Sequence, residues 1–117
     1  MKRQFDKFPL LCLVRGNKAQ SLLAQSRTGD ELQIVHTPTA EYPKTVFVYS
    51  IPLNGILGYL EFSVCEKLLF ALGANFCVDG KIEELREENG AFYFTVRVFP
   101  TSKKMANLDD FSHLYGE

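Results

Sequence analysis

The sequence contains no tryptophan and only two histidines, and its three cysteines, Cys12, Cys65 and Cys77, form no C-x-x-C pair. This cysteine pattern argues against a disulfide framework and against a zinc module. No stretch approaches the roughly 20 consecutive apolar residues that a membrane-spanning helix needs. We therefore expect a cytoplasmic protein with reduced, mostly buried thiols and no membrane association.

The usual sequence signatures of catalysis are also missing. There is no G-x-S-x-G elbow, no glycine-rich phosphate loop, no H-E-x-x-H and no EF-hand loop. His36 and His113 are far apart in the chain, and the acidic residues at positions 83, 84, 87 and 88 flank a turn, as expected of a solvated hairpin tip. We expect no enzymatic activity, no cofactor and no metal.

What the sequence does contain is ample material for a hydrophobic core. Its 117 residues are 46% hydrophobic and include ten phenylalanines and five tyrosines. This composition predicts one folded domain. The net charge of −1 supplies no overall field that would attract a polyanion, so a nucleic-acid role would require a local cluster of cations.

The strongest local pattern predicts a β-hairpin over residues 45–60. Residues 45–51 are rich in β-branched and aromatic side chains, residues 52–55 read Pro-Leu-Asn-Gly, and residues 56–60 are again apolar. Two apolar runs separated by a Pro/Asn/Gly turn are typical of a hairpin.

A helix is predicted to follow this hairpin. Ser63 and Glu66 have the spacing of a capping box, and Gly73 is suited to end the helix with a positive φ. The helical spacing predicts one apolar stripe, formed by Val64, Cys65, Leu68, Leu69 and Leu72.

Four further segments precede the hairpin. Residues 8–14 form an apolar run of strand length, and residues 18–26 form a possible short helix capped by Asn17. Residues 31–36 alternate, with Leu32, Ile34 and His36 on one face of a strand. Residues 37–44 contain two prolines and are predicted to be a loop.

A second hairpin is predicted from residues 76–85 and 91–99, joined across residues 86–90, where Asn89-Gly90 supplies positive φ. Phe92, Phe94, Val96 and Val98 should face the core, and a bulge near residues 83–84 would bring the first strand into register. Pro100 should end the sheet. The domain is then residues 8–100, preceded by a frayed segment, 1–7, and followed by a tail or short docking helix, 101–117.

These elements predict a mainly β (α+β) fold: a small, six-stranded, partly closed β-barrel with one well-capped helix and a possible second short helix. Several strands are apolar on both faces, which favours a curled barrel over an open sheet with one wet side.

Basic and aromatic residues on or beside the predicted loops are candidates for binding single-stranded nucleic acid, which is held by cations and by aromatic faces under the bases. The spacing of these residues also fits ordinary surface cations and half-buried tyrosines. The candidates are Arg15, Lys18, His36, Tyr42, Lys44 and Tyr59.

The order of these motifs resembles the HIRAN domain. The resemblance covers residues 8–99 and rests on a strand and short helix, Gly29-Asp30 before a strand, His36-Thr37-Pro38 through Tyr42, Thr45-Val46-Phe47-Val48, and Leu57-Gly58-Tyr59 before a helix. HIRAN domains occur as small bacterial proteins and at the N-terminus of helicase-like DNA translocases. The resemblance implies an oligonucleotide-binding-like (OB-like) barrel that captures the 3′ end of single-stranded DNA.

Carried over by position, the resemblance assigns base stacking to Tyr42 and phosphate binding to Lys18. The family's N-P-Y-D loop reads Ala40-Glu41-Tyr42-Pro43 here, so Pro43 stands where an Asp would bind the terminal hydroxyl. Ala19 stands where the family has a stacking ring, Tyr59 stands where a His is common, and Glu61 and Phe62 replace basic residues.

Two functions are therefore expected. In the first, a non-enzymatic module binds single-stranded DNA or DNA ends, with Arg15, Lys18 and Lys44 on phosphates, Tyr42 and Tyr59 under bases, and His36 donating to a phosphate or sugar. In the second, the barrel has lost the end-binding pocket and serves protein interaction, recruiting a nuclease or helicase or forming a homodimer.

Overall fold

The computed structural model describes residues 10–13, 16–36 and 44–105. Within these ranges the chain is mainly β with two helices, as predicted. The elements in order are β1 (Leu10–Leu13), α1 (Gly16–Ala24), β2 (Glu31–His36), β3 (Val46–Ser50), β4 (Gly55–Leu60), α2 (Phe62–Leu72), β5 (Phe76–Glu88) and β6 (Ala91–Met105). Neither described helix is long and apolar enough to cross a membrane.

Some predictions fall on residues outside the described ranges. They are the frayed segment 1–7, the proline-containing loop up to residue 43, the tail beyond residue 105, and the candidate side chains of Arg15 and Tyr42.

The strands form a curled antiparallel sheet with the order β1-β4-β3-β2-β5-β6. β6 pairs back onto β1 through Leu10 opposite Val96 and Leu11 opposite Thr95, so the hydrogen-bonded order closes on itself. Both helices pack on this sheet, so the sheet determines where each helix lies.

The first hairpin is confirmed. The turn between β3 and β4 ends at Asn54, which has a φ of 55°. The register then shifts: Tyr49 pairs with Ile56, but Val48 pairs with Gly58, so Leu57 is an extra residue in β4. Such a bulge changes which side chains of a strand face outward.

The second hairpin is longer than predicted. β5 and β6 pair as far as Glu88 opposite Ala91, and the prediction of a loop over residues 86–90 is wrong. Asn89 and Gly90 have φ values of 53° and 81°, and a two-residue turn with two positive φ values matches the twist of paired strands. The predicted bulge is confirmed, because the register shifts between Ile82 and Glu84.

The prediction that Pro100 ends the sheet is wrong, because β6 continues to Met105. Proline has no N–H to donate, and the ladder responds with a register shift between the Asp79–Phe99 pair and the Cys77–Lys104 pair. Ser102 restores the pairing: its hydroxyl accepts from the Asp79 N–H at 2.7 Å and donates to the Phe99 carbonyl at 2.8 Å.

The main core fills the inside of the curled sheet, and both helices contribute to it. Leu23 of α1 and Leu68 of α2 are buried in the same cluster as Ile34, Leu57 and Phe94. The predicted helical stripe is confirmed, with Cys65, Leu68 and Leu72 buried. The predicted inward face of β6 is confirmed as well, since Phe94, Val96 and Val98 are buried and Phe92 packs against them.

The predicted capping box is wrong, although the helix itself is confirmed. α2 begins at Phe62 directly after Glu61, whose extended backbone (φ −61°, ψ 151°) follows from β4, and no side chain caps the helix. Ser63 therefore lies inside the first turn. The C-terminal prediction is confirmed: Gly73 has a φ of 81° and its N–H donates to the Leu69 carbonyl.

The short first helix is also confirmed, but it begins at Gly16. Asn17 consequently lies within the helix, and its predicted role as the cap is wrong.

Candidate functional site

Three of the positions that matter for the candidate site lie on adjacent strands. Tyr59 of β4 pairs on one side with Leu13 of β1 and on the other with Phe47 of β3. In the sequence, Arg15 follows Leu13 by two residues and Tyr42 precedes Phe47 by five. The strand order thus brings chain segments that are more than 40 residues apart next to one another.

Tyr59 lies on the outer face of the sheet and is half-buried. The extra residue Leu57 is the reason, because it turns both Ile56 and Tyr59 outward onto a second apolar cluster. That cluster consists of Val35, Phe47, Tyr49 and Cys77. Burial raises the pKa of the Tyr49 phenol, as expected in apolar surroundings.

Lys44 is exposed, but its charge has partners on α2. Its Nζ donates to Glu66 Oε2 at 2.9 Å and lies 5.0 Å from the centre of the Phe62 ring. An exposed ion pair of this kind contributes little to stability. A phosphate could therefore compete for Lys44 at small cost, although Glu66 lowers the local positive potential.

His36 is only 3% exposed and lies on the inner face of the sheet, away from Tyr59. Its Nδ1 accepts a hydrogen bond from the Asn75 N–H at 2.8 Å. Its ring stacks on that of Phe76, with the two ring centres 5.8 Å apart. These contacts tie the end of β2 to the start of β5. Donation of a hydrogen bond by His36 to a nucleic acid stays a prediction, and the burial of the ring argues against this role.

Lys18 is exposed on α1. The amide of Gln20, two residues further on, donates to the Phe92 carbonyl at 3.0 Å and accepts from the Phe92 N–H at 2.7 Å. Phe92 in turn pairs with Glu87 of β5. Lys18 is thus on a helix that is fastened to the acidic hairpin.

The two helices contact opposite ends of β4. Leu22 of α1 lies against Gly55, the first residue of β4, while Cys65 of α2 donates its S–H to the carbonyl of Leu60, the last. Burial raises the pKa of the Cys65 thiol, which keeps it protonated as a donor. Lys18 and Lys44 therefore belong to opposite ends of this strand, with Tyr59 on its outer face.

Sequence reasoning missed two exposed aromatic residues on α2. Phe62 is 64% and Phe70 is 96% exposed, whereas the apolar stripe of the same helix is buried. The helical spacing contains the signal, because position 70 lies opposite Cys65, Leu68 and Leu72 on a 3.6-residue helix. An apolar residue at that position is a candidate for contact with another molecule.

The described residues bring charged and aromatic side chains together around β4 and α2. In the ranges 10–13, 16–36 and 44–105, no three His, Cys, Asp or Glu side chains are grouped so as to hold a metal ion. The features brought together are an outward tyrosine, a lysine between a carboxylate and an aromatic ring, and a helix with two exposed phenylalanines.

Comparison with known proteins finds no relative of this chain. No family model matches the sequence, and neither a curated protein nor a solved structure matches the chain.

Proposed function

We propose that this protein is a non-enzymatic, HIRAN-like module with an OB-like barrel that binds single-stranded DNA or DNA ends. The resemblance of the motifs to HIRAN domains motivates the proposal. Binding would combine cations along the backbone with aromatic rings under the bases.

The observation that carries the proposal is the pairing of Tyr59 with both Leu13 and Phe47. The resemblance requires three segments to meet: the one after the first strand, the one before residue 45, and the glycine-tyrosine step. The order β1-β4-β3 makes their flanking strands neighbours. Tyr59 on the outer face would then stack on a base, while Arg15 and Tyr42, which the resemblance also assigns to the site, lie outside the described residues.

Lys44 is the cation we assign to a phosphate, because it is exposed and its ion pair with Glu66 is at the surface. Lys18 contributes less, because its helix is fastened to the acidic hairpin. His36 supports the fold around β2 and is not assigned a contact.

Fluorescence anisotropy with a 3′-tailed oligonucleotide, a 5′-tailed oligonucleotide and a blunt duplex, each at two salt concentrations, tests the proposal. We expect binding that weakens steeply with salt. Tyr59→Leu keeps an apolar side chain on the outer cluster but removes the ring, and should cost about 1–3 kcal/mol of binding. Lys44→Ala should reduce the slope of log K against log salt by about 1.

Matched controls lie on the second hairpin. Tyr93 and Lys81 are exposed residues of β6 and β5, so Tyr93→Ala and Lys81→Ala should leave the affinity unchanged. Absence of binding to any of the three substrates at low salt would refute the proposal.

A second candidate function, protein interaction, is favoured by a separate observation. Phe70 is almost fully exposed on the side of α2 that faces away from the core. Ala19 and Pro43, which stand where HIRAN domains have pocket residues, also favour protein interaction. In this case the barrel would serve as a scaffold for a protein partner.

A further inference from the structure

The outer side of α2 presents four residues with the spacing of a helix–helix contact. Ser63, Glu66, Lys67 and Phe70 are all exposed, and they occupy positions i, i+3, i+4 and i+7 of the helix. We call these four residues the α2 outer face.

The chemistry of this face favours a second copy of the same chain. Glu66 and Lys67 lie on either side of the line from Ser63 to Phe70, so the face carries opposite charges on its two edges. When two such helices pack in parallel about a twofold axis, each edge meets the opposite edge of the other copy. Glu66 of each copy then faces Lys67 of the other, twice.

The twofold axis passes through the middle of this face. In the parallel arrangement Phe70 meets Phe70 of the second copy on the axis, and the residue two turns earlier on the same line, Ser63, has a small side chain. A small residue there lets the helices approach closely enough for the two rings to pack. Lys44 already contacts Oε2 of Glu66, so Lys67 of the second copy would share this carboxylate with Lys44.

We propose that the protein forms a parallel, twofold-symmetric homodimer through the α2 outer face, with the Phe70 rings packed at its centre. This inference gives the protein-interaction candidate a specific partner, and it does not depend on nucleic-acid binding. The charge arrangement decides the orientation, because antiparallel packing would place Glu66 against Glu66 and Lys67 against Lys67.

The dimer should be weak. One 11-residue helix from each copy supplies the contact. The two Phe70 rings together bury about 300–500 Å², and with only polar neighbours beside them we expect the whole interface to stay below the roughly 1,200 Å² of a stable complex. We therefore expect a concentration-dependent equilibrium.

Sedimentation equilibrium without nucleic acid, from about 10 µM to about 1 mM protein, tests the dimer in the range expected for a small interface. Phe70→Ala should raise the dissociation constant at least tenfold. It should not disturb the fold, because the side chain is 96% exposed. Tyr93→Ala is the matched control and should leave the dissociation constant unchanged. A wild-type protein that stays monomeric throughout this range overturns the proposal, as does a dimer that Phe70→Ala leaves intact.

A charge exchange tests which residues face each other. Glu66→Lys alone and Lys67→Glu alone each place like charges together in a homodimer and should shift the protein to monomer. Mixing the two variants in equal amounts should restore a heterodimer, because every cross-pair is then opposite in sign. Failure of the mixture to associate would show that these side chains do not meet and would refute the assigned interface.

Crosslinking tests the orientation. Ser63→Cys lies near the twofold axis only in the parallel arrangement, so mild oxidation should give a covalent dimer of this variant in high yield. The buried thiols of Cys65 and Cys77 should not react under the same conditions. Absence of this covalent dimer at concentrations where sedimentation shows the wild type to be dimeric would refute the parallel arrangement.

Discussion

Gly80 shows how a single residue can be fixed by backbone crowding. A Cβ atom at this position would lie 2.8 Å from the Arg97 carbonyl oxygen and 3.3 Å from the side chain of Ile34. The first of these neighbours is backbone in a paired strand and cannot rotate away. The sequence contains Gly80 in the middle of a predicted strand, but only the register of β5 against β6 reveals why the residue is needed.

We predict that Gly80→Ala lowers the free energy of unfolding by about 1–3 kcal/mol, because the added methyl forces the strands apart. Gly55→Ala is the comparison: its Cβ would approach Leu22 Cδ1 at 2.7 Å, but that atom is the end of a side chain that can rotate. Urea denaturation should therefore give a larger loss for Gly80→Ala than for Gly55→Ala. Equal losses would contradict this account.

At the scale of elements, the side chain of Gln20 attaches α1 to the sheet by bonding the backbone of β6 as a neighbouring strand would. Gln20 makes two hydrogen bonds to the backbone of Phe92, one as donor and one as acceptor. These two bonds satisfy backbone groups at the edge of β6, next to the residues of β6 that pair with β1. Helical periodicity predicted α1 from its apolar residues, but a polar docking contact 72 positions away leaves no trace in the sequence pattern.

Gln20→Leu should lower the free energy of unfolding by about 1–3 kcal/mol, since it leaves both backbone groups of Phe92 without a partner in partly buried surroundings. Gln25→Leu is the matched control. Its amide bonds only to the exposed carbonyl of Ser21, so its effect should stay within about 0.5 kcal/mol. Chemical denaturation of both variants measures the difference, and equal effects would exclude a docking role for Gln20.

The second hairpin contains an ion pair that should make its stability depend on pH. Arg97 donates to both carboxylate oxygens of Glu83, at 2.8 and 3.2 Å. This lowers the pKa of the Glu83 carboxyl below its ordinary value of 4.5, first through hydrogen bonding and then through charge. The contribution to stability is therefore complete above pH 4.5 and disappears as the pH falls through the lowered value.

We expect Glu83→Gln to be less stable than the wild type near neutral pH and equal to it in acid below the lowered pKa. Thermal unfolding over a pH series measures this convergence. Glu84→Gln is the control, because Glu84 forms no salt bridge within the part of the chain that the structure describes. A difference between wild type and Glu83→Gln that persists in acid would assign the effect to packing.

The strands and helices of the whole molecule were largely predictable because they depend on local periodicity. Residues 31–36 were predicted with the bounds that the structure gives, and the bulge at residues 83–84 followed from a mismatch of apolar positions. The extent of β6 was not predictable, because the strand continues past Pro100 through a register shift in which the Ser102 hydroxyl bonds the Asp79 N–H.

The candidate site was less predictable, because it depends on which face each residue occupies. Loop position suggested that His36 and Tyr59 act together, yet they lie on opposite faces of the sheet. An extra residue at Leu57, visible only in the register, turns Tyr59 outward. Phe70 was not predicted, because the apolar stripe of α2 identifies only the buried side of the helix.

The long second hairpin also gives the molecule an uneven distribution of charge that its net value of −1 conceals. β5 extends over 13 residues, or about 40 Å, from a first end beside Lys104 to a tip that carries Glu87 and Glu88. Among the described residues, this separation of charge forms an electric dipole along the hairpin. A polyanion approaching at low ionic strength would meet repulsion at the hairpin tip and rotate the protein before contact, which would bias the first encounters toward the lysine-bearing end.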